Sequence, residues 1–351
     1  MKNNVMILAS LSLLSLFSFF SFFEKGLAKS PFYIFLFVTL VLFATFRDGS
    51  SLPDYDTYTH LFHNVVHGQS DYFIEISFTL LARLANLISS DNFYVLFFLY
   101  AFVAILVKFK AIVFFSPFPF YSFVVYLSNY FIIHELIQIR AGVAVALVFI
   151  SFYFIFHRSF YKYFFVIAAA TFFHYSSFIF LLLYFIDPYR IKRSYIVLLI
   201  PFSYFFMLLF SSSLFYDILL SIIPFEGLVS KLVTYSANGD SSINVFGFFI
   251  ISRIIVLCFF SYHYQMLSRK HIYFPFFLLL YSIGIFFYIS LSSFPHMGVR
   301  LGYSLMYSEV FLIPYLICIF KGYFVSRFIV VLYSLLAFLT NVLFTSYFHW
   351  S

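Results

Sequence analysis

The residues in this chain that could do chemistry are few. Only 9% of the 351 residues are charged, yet the stretch TFRDGSSLPDYDTYTHLF at 45–62 gathers Arg47, Asp48, Asp54 and Asp56. Two more arginines, Arg140 in QIRAGVAVAL and Arg300 in RLGYS, open apolar runs far downstream. A guanidinium grips phosphate oxygens with a planar fork that lysine lacks. Three such groups at one level fit a diphosphate. The plain alternative is a local partner for each: Asp48 for Arg47, Glu135 for Arg140, and the SSFPH backbone for Arg300. Three misplaced arginines would need three separate pairings of that kind, which favours a shared anionic ligand. Asp54, Glu75, His134 and His174 are groups able to take a proton from a hydroxyl.

Metal chemistry is the other option these residue types raise. Asp48, Asp54 and Asp56 together offer the oxygen donors of a divalent-cation site, but a solvated acidic loop is the commoner outcome. His60, His63 and His67 in HLFHNVVH have helical spacing without the glutamate of an H-E-x-x-H motif. Arginine can carry the charge of a phosphate ligand unaided, so neither a metal nor another cofactor is expected.

The elements that must position these groups are membrane helices. Apolar residues make up 64% of the chain, against about half in a soluble domain. The 60 Phe and 30 Tyr fit codon drift in an AT-rich genome, with aromatic anchoring at the membrane interface and sugar stacking as lesser contributions. The net charge of +7 is spread over short connectors, not gathered in a patch, which excludes nucleic acid as a partner. Cys258 and Cys318 lie in apolar runs and read as packing residues.

Spans of about 20 apolar residues are expected at Val5–Phe23, Phe32–Phe46, Phe93–Val107, Phe118–Ile133, His134–Phe156, Ser194–Phe210, Val245–Ser261, Ile272–Leu291, Leu301–Phe320 and Phe328–Ser346. The first reads as a retained span, not a cleaved signal peptide. Six connectors hold 13 of the 20 Lys and Arg, those of Lys25–Lys29, Lys108–Lys110, Arg158–Lys162, Arg190–Arg193, Arg269–Lys270 and Lys321–Arg327. The positive-inside rule puts them in the cytoplasm. The stretches 47–72, 134–140, 211–244 and 291–300 then lie outside, as do both termini. The whole chain, 1–351, reads as one integral membrane domain with no internal repeat.

Two segments break simple alternation. Ile74–Ser90 must begin and end outside, so it reads as an interfacial or re-entrant helix. With the acidic loop before it, it makes an outer region over 47–92. Tyr163–Ile186 has basic flanks on both sides, which a pair of short helices bent at His174–Ser177 would satisfy. Irregular backbone at membrane depth survives only inside protein or beside a wet cavity, which places His174 at a cavity. The stretch 211–244 reads as an outer amphipathic loop, a candidate lid. Arg253 and Glu309, both mid-span, read as an ion pair within the membrane.

With these residues in place, the chain resembles the EpsG-like, Wzy-type bacterial polysaccharide polymerases. The resemblance rests on Arg47 ending an early span, then Asp54, Tyr58 and Phe62 at intervals of four. It continues with Glu75 in EISFTLLARL, Arg140 in QIRAGVAVAL, His174 in FFHYSSFIFLLLYFI and Arg300 in RLGYS, and so covers residues 47–303. The family often has Gly before the Asp, where this chain has Leu52-Pro53, and Gln after the Arg, where it has Ala141.

The resemblance implies an all-α polytopic membrane protein of about 11–13 transmembrane helices, including a short bent pair, related to the C-type membrane glycosyltransferases. It implies an enzyme in the bacterial inner membrane with its active site facing the periplasm. The implied reaction moves a growing glycan from undecaprenyl diphosphate to the non-reducing end of another lipid-linked repeat unit, as in O-antigen and other polysaccharide biosynthesis. The partners would be undecaprenyl-diphosphate-linked oligosaccharide, membrane lipid and a chain-length regulator protein. In that scheme Arg47, Arg140 and Arg300 hold the diphosphate. Asp54 and Glu75 lead as catalytic base, with His134 and His174 as alternatives, and Tyr58 and Tyr303 orient sugar. The competing readings are an O-antigen ligase, which shares the donor, and a transporter or flippase for the same lipid.

Overall fold

A computed structural model describes residues 29–47, 54–69, 74–211 and 243–344, with residue 52 and parts of 10–19; among these residues every regular element is helical. Asp48, most of the first span and the stretch 212–242, which carries most of the expected outer loop, fall outside the described residues. The labelled helices are α1 (Lys29–Thr45), α2 (Tyr55–Val66), α3 (Ile76–Ile88), α4 (Phe93–Phe115), α5 (Pro119–Val125), α6 (Ile139–Phe156), α7 (Phe160–Phe173), α8 (Arg193–Phe210), α9 (Phe248–Tyr262), α10 (Phe274–Ser290), α11 (Pro295–Met306) and α12 (Tyr323–Phe344). Among the described residues, five helical stretches are long and apolar enough to cross a membrane: Phe93–Phe115, Ile139–Phe156, Arg193–Phe210, Met297–Ile319 and Tyr323–Thr340; shorter apolar helices accompany them. The chain is an all-α polytopic membrane protein.

The helices gather in two compact units, one of Met1–Asp187 with Ile313–Ser351 and one of Pro188–Leu312. In the first, α4 is central and packs against α1, α3 and α6. Its exposed face carries Phe98, Phe102, Val113 and Phe114, as suits a helix that meets lipid, and the Asn92 side chain caps its start by accepting from the Tyr94 N–H. Lys108 and Lys110, expected in a cytoplasmic connector, lie inside α4, which runs on to Phe115. Lys108 is wholly buried in an ion pair with Glu135. The sequence reading put those two residues on opposite faces of the membrane, and the ion pair corrects it.

Residues 119–137 wind as α5 followed by two π turns, Tyr126–Tyr130 and Ile132–Ile137. The wide turns stop at Gln138 (φ −98°, ψ 62°), and α6 begins at once. Gly142 makes this junction possible, because a Cβ there would stand 2.2 Å from the His134 carbonyl oxygen.

The segment after α6 bends where expected. Helix α7 ends at His174, whose backbone is extended, and Tyr175–Phe185 returns as a 3-10 helix. The Tyr163 hydroxyl donates to the Phe180 carbonyl at 2.5 Å. Arg158 and Asp187 close the open end as an ion pair at 3.2 Å. Helix α3 has thirteen residues, about 20 Å, too short for a bilayer core of about 30 Å. Ser77, Phe78, Ala82 and Ala85 are buried, while Ile76, Leu80, Leu84 and Leu87 are exposed.

In the second unit α10 packs against α8, α9 and α11. Arg253 Nε and Glu309 Oε2 are 3.7 Å apart with both side chains buried, the ion pair expected from sequence. The Arg253 guanidinium also lies 4.4 Å from the centre of the Phe249 ring.

Candidate functional site

The first unit brings four of the sequence candidates together. Glu75 stands at the N-terminal cap of α3. One of its carboxylate oxygens pairs with Arg140 Nη1, and the other accepts from His174 Nδ1 at 3.2 Å. Arg140 is in the first turn of α6, placed there by the Gln138 break. His174 is placed by the α7 break. Glu75 therefore receives a partner from each of two irregular backbone points, and Arg140 finds its carboxylate in Glu75, not in Glu135. The Arg140 guanidinium lies 5.4 Å from the centre of the Tyr58 ring, within hydrogen-bonding reach of its hydroxyl. Tyr58 stacks on Phe78 of α3 at 6.1 Å.

Burial pushes the Glu75 carboxyl up, but the His174 hydrogen bond and the Arg140 charge outweigh it and hold the group below the usual carboxylate range. Glu75 is thus an ionised anchor and a weak proton acceptor. A carboxylate only accepts hydrogen bonds, so His174 Nδ1 carries the ring proton in the neutral imidazole. His174 Nε2 then has the lone pair, and it has no hydrogen-bond partner among the described residues. This is the arrangement by which a carboxylate orients a histidine base. Arg140 and His174 keep 23% and 17% of their side-chain surface exposed, while the Nε2 atom of His174 is itself buried.

Arg47 follows α1 and is 2% exposed. Its Nη1 donates to the Ala44 carbonyl at 2.8 Å and the Glu135 carbonyl at 3.3 Å, and its guanidinium lies 3.7 Å from the centre of the Phe97 ring. Nε and Nη2 have no hydrogen-bond partner among the described residues. The guanidinium also lies 5.9 Å from the centre of the Tyr55 ring.

The remaining candidates lie elsewhere. Asp54 is exposed in a left-handed backbone (φ 65°) that turns the chain into α2, and its carboxylate caps nothing. His134 is buried in the second π turn, its ring 5.8 Å from that of Tyr130. Arg300 is exposed on α11 in the second unit, and Tyr303 is buried against Phe249 and Tyr288. His63 pairs with Asp91 at 2.8 Å, and no group of three metal-ligating side chains occurs among the described residues.

Sequence reading missed Lys108 and the Phe97 platform. The signal for Lys108 was present: AIVFF continues the apolar run beyond it. Nothing local marks Phe97 among so many phenylalanines.

The model of the EpsG family matches residues 30–351, nearly the whole chain. The chain belongs to the EpsG family. No curated protein and no solved structure matches it. EpsG membership makes it a membrane protein of the polysaccharide-polymerase type. The match takes in the elements that carry Glu75, Arg140 and His174.

Proposed function

We propose that the protein is a glycosyltransferase that polymerises lipid-linked repeat units. It moves a growing glycan from undecaprenyl diphosphate to the non-reducing sugar of another lipid-linked unit, at the periplasmic face of the inner membrane. The observation that carries the reading is Glu75 bridging Arg140 and His174, in the same unit as Arg47, whose Nε and Nη2 have no hydrogen-bond partner among the described residues.

Breaking the anomeric C–O bond leaves negative charge on the diphosphate. Arg140 and Arg47 stabilise that charge through preplaced N–H donors. His174 Nε2 accepts the proton of the attacking sugar hydroxyl, with Glu75 fixing the ring. Tyr58, whose ring lies beside Arg140, orients donor sugar. Arg300 remains a separate candidate for the diphosphate, assigned by the family pattern around RLGYS. The chemistry needs no metal, since guanidinium groups supply the charge.

The test is reconstitution. Purified protein in liposomes, given undecaprenyl-diphosphate-linked repeat units, should yield a ladder of longer lipid-linked glycans. Transfer to a lipid A core without elongation would identify a ligase instead, and movement of the lipid without new bonds would identify a transporter.

A further inference from the structure

Glu135 acts at both of its ends. Its carboxylate is paired with Lys108, and both side chains are wholly buried. Its backbone carbonyl accepts from Arg47 Nη1 at 3.3 Å. That carbonyl lies in the last turn of the π helix Ile132–Ile137, which ends at Gln138 with the closing bond from the Gln138 N–H to the Ile133 carbonyl at 2.7 Å. The last carbonyls of a helix lack partners within it. Tyr126 closes the group, its ring centre 5.6 Å from Lys108 Nζ.

Charges buried within a membrane are costly and mark function more often than stability. An apolar pair of similar size commonly holds a fold as well as a buried ion pair does. Arg47, for its part, has two further anchors, the Ala44 carbonyl and the Phe97 ring. Loss of the Glu135 contact would leave Arg47 in place but free to turn.

We propose that the Lys108–Glu135 pair is a positioning device for Arg47. It pins the end of the π turn, so that the Glu135 carbonyl holds one guanidinium nitrogen and leaves Nε and Nη2 directed at the donor diphosphate. Lys108 and Glu135 touch no substrate; they act through Arg47. The inference rests on the functional reading above and adds the residues that set the geometry of its anion grip.

The experiment compares wild type, Lys108→Met/Glu135→Gln, Glu135→Gln and Arg47→Lys, each purified in detergent. Undecaprenyl diphosphate binding, thermal melting, and KM and kcat for lipid-linked donor are measured. The double variant should melt like wild type, bind undecaprenyl diphosphate on the order of ten-fold more weakly, and show a matching rise in KM with a smaller change in kcat. Wild-type affinity in the double variant, with unchanged melting, overturns the proposal. Should the double variant not fold, wild-type affinity in Glu135→Gln overturns it equally. A wild-type protein that does not bind undecaprenyl diphosphate, with Arg47→Lys indistinguishable from it, instead overturns the functional reading and this proposal with it.

Discussion

Glu75 ties Arg140 to His174, one carboxylate oxygen to each. The three residues are far apart in the chain and meet only because two helices break, one at Gln138 and one at His174. A guanidinium and an imidazole are thereby held by a common anchor.

Arg140→Lys separates charge from shape. Lysine keeps the positive charge but loses the fork. Elongation in liposomes should fall by about 10²-fold or more, while membrane insertion, followed by protease protection, stays normal. An active Arg140→Lys enzyme would count against phosphate chelation at this position.

Glu75 and His174 should fall together. Removing a general base costs about 10²–10⁴-fold, so His174→Ala should lose activity in that range. Glu75→Gln keeps the shape of the anchor and loses its charge, and should lose a comparable amount. Added to Glu75→Gln, His174→Ala should cost much less than it does alone, since both changes remove the same oriented base. Independent, multiplicative losses in the double variant would reject the shared role.

Asp54 is expected to serve the backbone more than the chemistry. Asparagine also tolerates the left-handed conformation, so Asp54→Asn should retain most elongation activity. Asp54→Ala, strained at φ 65°, should lower the melting temperature through a cost of roughly 1–2 kcal/mol. A loss of activity in Asp54→Asn beyond about 100-fold, the scale of general-base loss, would restore Asp54 as the catalytic base.

Arg253 and Glu309 should behave as a pair. Glu309→Leu leaves a buried guanidinium without its carboxylate and should cost about 3–5 kcal/mol, read as a sharp drop in detergent melting temperature. Arg253→Met/Glu309→Leu should recover most of that loss. Equal melting of the single and double variants would show that the two side chains do not depend on each other.

Much of the fold was legible because hydropathy sees apolar runs, and the runs at 93–107, 194–210 and 328–346 correspond to α4, α8 and α12. The hairpin at His174 was legible because charge on both flanks forbids a single crossing. Lys108 was not, since a lysine count treats a basic residue between apolar runs as loop, and its partner Glu135 lies 27 residues away. The π turns leave no mark in hydrophobic periodicity. Glu75 and His174 were legible as proton-transfer candidates, but their meeting with Arg140 was not. It depends on contacts 65 and 99 residues distant, which only the folded chain brings together.

The tight winding of Tyr175–Phe185 acts as a ruler. Its buried residues, Ser177, Phe180 and Leu183, recur every third position, a straight seam that only this pitch gives. Fourteen residues of α7 descend about 21 Å, and eleven residues at about 2.0 Å each climb back about 22 Å. The two arms are equal, so the Arg158–Asp187 clasp can shut. Rewound as an α-helix, the return arm would be shorter by about 6 Å, and either the clasp would open or the imidazole would be lifted off its carboxylate.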